Sequence, residues 1–324
     1  SPISRLEVAR LAAKAMGYGA SGSASPFADV NDGYATALCE AGIFIGTTVG
    51  EQTYFYPDSS ITRAEVATIV WRIYQANATN TKQKIHYGNY TLDVLEGVPT
   101  NNYDKSAFYK DGSIMRYNDP NVRTRLGIDV SQYQGDIDWA AVKASGIDFA
   151  MIRAGYRGAT RGKLNEDSKF ADNYTGAKDA GVKVGIYFFS QATSVTEAEE
   201  EAGYVLQLLQ NKSVDYPVVF DWEQTSVDGS RTADATGEQI TSYASAFCKK
   251  IAKAGYTAGV YFNRSLGYNY YDLEQLKDFE FWLAEYRSVP AFYYNFGLWQ
   301  YSDNAQVQGI DAAVDINVSF KNYG

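Results

Sequence analysis

Residues 216–223 read Tyr-Pro-Val-Val-Phe-Asp-Trp-Glu. The apolar run 216–220 is short, β-branched and aromatic, which predicts a buried strand. It ends in Asp221-Trp222-Glu223. Side chains alternate faces along a strand, so the two carboxylates project the same way, roughly 6–7 Å apart in backbone rise. Trp222 points to the opposite face and is expected to pack against surrounding helices. Acids forced side by side at a strand end have pKa values pushed apart, so one can serve protonated and the other ionised. Such a pair suits carboxylate acid–base chemistry. In isolation, an exposed acidic strand end or a cation site would read the same way.

Working outward, strand signals recur at 126–130, 149–154, 182–189 and 258–262, with 217–220 as the fourth of five. Helical stretches lie between them at 139–144, 168–180, 196–209 and 237–254. Strand–helix alternation implies parallel strands joined by crossover helices. Three more strands follow at 281–284, 297–301 and 313–318. The segments between these last strands are rich in Pro, Asn and Gly and too short for regular crossover helices. The expected fold class is therefore α/β: an irregular (β/α) barrel over 123–324, with eight strands and helices mainly after the first five. In such barrels catalytic groups stand at the C-terminal strand ends.

Asp129 closes the first strand, Asp221 and Glu223 close the fourth, and Asp315 falls within the last. Strands one and eight are neighbours in a closed barrel, so Asp129 and Asp315 should face each other and all four acids should meet at one mouth. Several acids in one partly dry pocket cannot all ionise, so at least one pKa should rise. Glycosidases work with such carboxylate sets. Aromatics near the strand ends, Tyr133, Tyr187, Tyr261, Tyr286 and Trp299, are candidate sugar contacts. Each could instead be core, because alternate barrel positions point inward or towards the helices.

Composition excludes several other functions. The 324 residues suffice for a barrel and a small module. Net charge is −9, and Lys and Arg do not cluster, so nucleic acid and anionic membranes are poor partners. No apolar stretch reaches the ~18 residues of a transmembrane helix. No signal peptide is visible, and an opening at Ser1 without methionine reads as a fragment or a mature form. His86, the single histidine, falls in a polar segment away from every motif and reads as an exposed loop residue. Histidine-based triads and zinc hydrolases need more than that. Cys39 and Cys248 fall in different domains on this reading and make no disulfide framework, so they read as semi-buried thiols. No cofactor and no metal is called for.

The first 75 residues contain a repeat. Ser1-Pro-Ile-Ser-Arg-Leu-Glu-Val-Ala-Arg10 recurs as Ser59-Ser-Ile-Thr-Arg-Ala-Glu-Val-Ala-Thr68. Each copy carries a capping box, Ser4 with Glu7 and Thr62 with Glu65. Val66, Ile69, Val70 and Ile73 then form one apolar helix face. Phe27-Ala-Asp-Val30 precedes a helix over about 33–41, which Gly42 is placed to end. A period of this size means helical units that stack on one another. Residues 76–122 lack sustained periodicity and read as an ordered connector. Within them, Asp111-Gly112 marks a hairpin.

Two resemblances follow from these motifs. The F-x-D-V opening and I-T-R-A-E helix start resemble the S-layer homology module, with one full repeat and the tail of another where three commonly make an anchor. That resemblance implies contact with secondary cell-wall polysaccharide; a helical cap on the barrel is the competing reading. Residues from about 125 to 322 are similar to glycoside hydrolase family 25, the bacterial and phage type of lysozyme. The motifs are G-I-D-V-S-Q-Y-Q-G (127–135), D-x-E (221–223), W-L-A-E-Y (282–286), L-W-Q-Y (298–301) and V-D-I-N (314–317).

The family resemblance implies an exported, wall-associated bacterial muramidase that cuts the β-1,4 bond between N-acetylmuramic acid and N-acetylglucosamine in peptidoglycan. On that basis Glu223 is the general acid/base, and Asp221 orients the N-acetyl group or stabilises the cationic transition state. Asp129 and Asp315 tune the pair. Tyr286 and Trp299 sit in family-like motifs. A non-catalytic wall-binding protein and a chitinase-like glycosidase remain the alternatives.

Overall fold

The computed structural model describes residues 3–80 and 83–323. Ser1 and Pro2, which open the first repeat copy, residues 81–82 of the expected connector, and Gly324 lie outside the described residues. The chain divides into two compact units, 1–94 and 95–324.

Among the described residues the first unit has three helices, α1 (Arg5–Ala15), α2 (Gly33–Glu40) and α3 (Arg63–Asn80). Both capping boxes form. The Ser4 amide donates to the Glu7 carboxylate at 2.9 Å, and the Thr62 amide to that of Glu65 at 2.8 Å. The two repeat copies pair at their starts: Ser4 bridges Ser60, the Arg5 amide donates to the Ser59 carbonyl, and Arg5 forms an ion pair with Glu65. Asp29 of the F-x-D-V motif accepts the amides of Phe55 and Tyr56, both at 2.7 Å. Those two bonds hold Tyr56 at a φ of +58°, a conformation costly for a bulky side chain.

Phe27, Leu38, Ile43, Phe44 and Phe55 form the core with Ala9 and Ala13. The apolar face expected on α3 is only partly covered. Ile69 is buried and Ile73 packs on the core, whereas Val66 and Val70 are exposed. The stripe that α3 turns to the core is thus narrower than its apolar periodicity suggests. His86 lies on a strand, Lys84–Tyr87, of a hairpin with Tyr90–Asp93, and not in a loop; it is exposed.

The second unit is built on eight strands: β1 (Arg125–Val130), β2 (Phe149–Arg157), β3 (Lys183–Ser190), β4 (Val218–Trp222), β5 (Ala258–Asn263), β6 (Glu280–Ala284), β7 (Leu298–Ala305) and β8 (Val314–Ser319). They pair in chain order, and β8 closes on β1, making a barrel. Strands β1 to β7 run parallel, joined through β3 to β2. The last strand is antiparallel to both neighbours. A short return from β7 cannot carry the chain back across the barrel, so β8 runs the other way. Its first residues therefore stand at the mouth formed by the other strands' C-terminal ends.

Helices α4 (Trp139–Ala144), α5 (Phe170–Asp179), α6 (Val195–Leu208) and α7 (Gly237–Lys253) follow the first four strands. Two short ones, α8 (Arg264–Asn269) and α9 (Leu273–Leu276), follow β5. The floor of the barrel is filled by Phe149, stacked on Tyr216 at 4.2 Å. Gly127 must be glycine there, since a Cβ would stand 2.3 Å from the Phe149 ring.

No regular helix follows β6 or β7, and residues 95–122 take that place against the outer face. The 76–122 segment is thus not one connector: up to Val94 it belongs to the first unit, and from Leu95 it is part of the barrel unit. Tyr103 stacks on Phe320 at 4.1 Å and donates its hydroxyl to the Phe296 carbonyl. The expected hairpin forms from Phe108–Asp111 and Ile114–Tyr117, with Gly112 at a φ of +62°. Phe108 meets Trp299 edge-on at 5.5 Å. The Met115 amide donates to the Tyr301 hydroxyl, and the Asn295 amide to the Pro99 carbonyl.

Candidate active site

Asp129, Asp221, Glu223 and Asp315 line one cleft of about 220 Å³ in the barrel, with Ser131, Tyr133, Gln134, Arg153, Tyr187, Phe189, Tyr261, Trp282 and Gln300. Asp315 pairs with Asp129 in the β8–β1 register. Asp221 is the fourth residue of β4, and Glu223 follows its end. Trp222 between them is buried on the opposite face, as strand alternation requires.

The neighbours distinguish the acids from one another. Asp129 is buried, and its Oδ2 accepts from Asn317 Nδ2 at 2.8 Å and from Gln300 Nε2 at 2.9 Å. Burial, then the charge of Asp315, pushes its pKa well above the usual carboxylate range. Asp315 is raised chiefly by burial; its hydrogen bond with Asp129 opposes that, and the nearby Asp303 adds to it. Asp221 is raised by burial, then by the charges of Glu223 and Asp129, while Arg153 works against the rise. Its Oδ1 is buried without a hydrogen-bond partner. Glu223 is raised by burial and then by Asp315, and it is more accessible than Asp221. The set as a whole holds protons that isolated carboxylates would have lost.

Glu223 stands beyond the last strand residue, so its backbone needs another support. Gln191 Nε2 donates to the Glu223 carbonyl at 3.3 Å, and Gln191 Oε1 accepts from the Thr232 hydroxyl at 2.6 Å. Arg231 donates to the Gln191 carbonyl and pairs with Glu197.

Tyr133, Tyr187 and Tyr261 line the cleft. The hydroxyls of Tyr261 and Tyr286 both donate to Gln300 Oε1, at 2.9 and 3.0 Å, and Tyr286 is half exposed. Trp299 is not a sugar contact in this fold. It is fully buried, donates Nε1 to the Glu285 carbonyl, and faces Phe108. Its neighbour Gln300 points inward to Asp129, so alternation sends Trp299 outward. The inward tryptophan is Trp282, whose Nε1 donates to Asn317 Oδ1 at 2.8 Å.

Arg153, Gln300 and Asn317 were not singled out from the sequence. Asn317 was legible, lying two residues from Asp315 on the same strand face. Among the described residues no group of three or more His, Cys, Asp or Glu is disposed to hold a metal ion.

A pH dependence of stability follows. Each raised carboxyl binds its proton more tightly folded than unfolded. Its stabilising contribution is therefore complete below the ordinary carboxylate pKa and is lost as pH rises through the higher folded value. Asp129→Asn should melt at a temperature that falls less than the parent's as pH rises above the ordinary carboxylate range. Thermal melts of both proteins across that range test this, and parallel curves would contradict it.

A family model described as glycosyl hydrolases family 25 matches residues 128–310, a span that includes Asp129, Asp221 and Glu223 and ends before Asp315. The chain is 32% identical over 196 residues to the autolytic lysozyme of Clostridium acetobutylicum, covering 59% of this chain and 54% of that protein. It is 29% identical over 205 residues to lysozyme M1 of Streptomyces globisporus, covering 59% and 66%. It thus spans about half to two thirds of the length of these curated relatives. A solved structure of the modular autolysin LytC from Streptococcus pneumoniae in complex with a synthetic peptidoglycan ligand matches with a TM-score of 0.54 at 25% identity, over 60% of this chain and 46% of that one. The matched family span covers more than half of the 324 residues and contains the barrel mouth with three of its four acids, and the chain belongs to glycosyl hydrolases family 25.

Proposed function

We propose that the chain is an exported bacterial muramidase acting at the cell wall. It would hydrolyse the β-1,4 bond between N-acetylmuramic acid and N-acetylglucosamine. The observation that carries this reading is the convergence of Asp221 and Glu223, with Asp129 and Asp315, in one cleft where burial and mutual charge keep protons bound. The lysozymes and the autolysin it resembles support the same reading.

In this mechanism Glu223 protonates the leaving oxygen. Asp221 orients the acetamido group and stabilises the positive charge that develops at the anomeric carbon. Asp129 and Asp315 tune the pair, with Asn317 and Gln300 fixing Asp129. Tyr133, Tyr187, Tyr261 and Tyr286 contact the sugars. The acetamido oxygen displaces the protonated leaving group at the anomeric carbon, and water, giving its proton to Glu223, then displaces the acetamido oxygen, so the reaction is retaining.

Digestion of purified peptidoglycan, borohydride reduction and mass spectrometry test the bond specificity. New reducing ends should appear as reduced muramic acid; reduced glucosamine, or no new ends, would refute the reading. On a defined glycan, proton NMR should show the β-anomer first, and an initial α-anomer would overturn the mechanism. Chelation should leave the rate unchanged, since proton transfer from Glu223 to the leaving oxygen needs no metal. Loss of activity in EDTA with recovery in Ca²⁺ or Mg²⁺ would contradict this.

We also propose that the first unit, whose motifs resemble S-layer homology modules, attaches the enzyme to wall polysaccharide. A cavity of about 310 Å³ there, lined by Arg5, Arg72, Glu65, Thr68 and the chain 43–47, supports this. In wall pull-downs a chain lacking residues 1–94 should bind less than the parent. Equal binding would leave this unit without an anchoring role.

A further inference from the structure

Arg153 lies on β2 and lines the same cleft as the four acids. It is the one cation among the described lining residues. Its ion pair is nonetheless with Asp167, whose Oδ2 accepts from Arg153 Nε at 2.7 Å. Asp167 is fully buried and also accepts the backbone amides of Gln132 and Lys169, so this anchor is rigid. The Tyr133 ring stands 5.0 Å from the guanidinium carbon, and that of Tyr156 at 5.4 Å. Arg153 is 9% exposed, and its Nη2 is buried with no hydrogen-bond partner.

A guanidinium nitrogen left bare in a dry cleft is costly, and more so when carboxylates nearby do not take it. The site is therefore one acceptor short. Asp221 Oδ1, unpartnered in the same cleft, is one donor short. Both residues line the one cleft. A sugar that fills both needs an N–H and, on an adjacent ring position, an acceptor oxygen. The acetamido group at C2 supplies the first, and the carbonyl oxygen of a lactyl ether at C3 supplies the second.

We propose that Arg153, held by Asp167 and roofed by Tyr133, is the subsite that recognises the lactyl carboxyl-derived oxygen of muramic acid. The accepting atom is a carboxylate oxygen on bare glycan or an amide carbonyl where a peptide is attached. This inference rests on the muramidase reading and names what selects muramic acid over a neutral N-acetylglucosamine chain. A sugar without the lactyl group offers Nη2 only its C3 hydroxyl, a weaker acceptor than a carboxylate or amide carbonyl oxygen, and that difference is what the site reads.

The test uses the intact 324-residue chain carrying Glu223→Gln, which binds without turning over. Calorimetry would compare a muramyl tetrasaccharide with free lactyl groups, the same glycan bearing peptides, and a tetramer of N-acetylglucosamine. Adding Arg153→Gln should weaken the muramyl ligands at least about tenfold and change the neutral tetramer by less than about twofold. Loss on both muramyl ligands assigns the shared carbonyl oxygen; loss on the free acid alone assigns the carboxylate. Equal loss on all three, or on none, overturns the proposal.

If Arg153→Gln no longer melts cooperatively, the ligand can be altered instead. A muramyl glycan with its lactyl carboxyl reduced to the alcohol should bind Glu223→Gln more weakly than the parent glycan, and equal affinity overturns the proposal. Failure of every glycan to bind would also remove the muramidase reading. Peptidoglycan hydrolysis with binding indifferent to residue 153 would leave that reading standing alone.

Discussion

Replacing Glu223 by glutamine should lower the rate of peptidoglycan hydrolysis by about 10²–10⁴-fold, the usual contribution of a positioned general acid. Glutamine keeps the shape and the hydrogen-bonding reach but has no proton to give. Asp221 cannot easily replace it. Asp221 is buried deeper in the cleft, whereas Glu223 is the more accessible member of the pair and the better placed to reach a leaving oxygen. Folding should survive, because burial and Asp315 already penalise a charge at position 223. Glu223→Gln should therefore melt at or above the parent's temperature near neutral pH while losing turnover. Initial rates on purified walls and thermal melts of the two proteins check both halves. Activity within about threefold of the parent would show that the essential proton comes from elsewhere. Lost activity accompanied by a collapsed melt would show instead that Glu223 is structural.

The positions of the acids were legible because strand ends carry strong local signals. A β-branched run, a carboxylate at its end and a following helix fix Asp129, Asp221 and Glu223 at one rim without any knowledge of contacts. Asp315 was legible for a different reason: strands one and eight adjoin in a closed barrel, which sets it opposite Asp129; the reversal of β8 that brings its start to the mouth was not legible.

Side-chain parity was less legible. Trp299 and Gln300 are adjacent in one motif, and only the inward bond from Gln300 to Asp129 shows which of the two faces the cleft. Arg153 was hidden because a basic residue in a buried strand carries no motif; its partner Asp167 lies outside the regular strands. The covered and open sides of α3 depend on which neighbours exist in space, and periodicity alone does not report them.

The segment 95–122 was the hardest to read, since its aromatics follow no period and its function is to cover strands elsewhere in the chain. Its removal should have the largest effect on stability. A chain beginning at Arg123 should not fold into a cooperative barrel at room temperature, whereas one beginning at Leu95 should fold and cut soluble glycan at close to the parent's rate. Tyr103, Phe108, Met115 and Tyr117 pack against Phe296, Trp299, Tyr301 and Phe320.

Fully burying one such side chain stabilises by about 1.5–3 kcal/mol. Deleting the segment loses several of them and uncovers their partners on β7 and beyond, a loss that rivals the whole ~5–15 kcal/mol stability of a typical domain. Trp299, uncovered on β7, adjoins Gln300, which holds Asp129, so any residual barrel should lose its site geometry first. Circular dichroism melts and turnover of the two truncated chains decide the matter. A cooperative melt for the Arg123 chain within about 5 °C of the Leu95 chain would show that the aromatic belt is dispensable. A Leu95 chain that fails to fold would show that the barrel depends on residues 1–94.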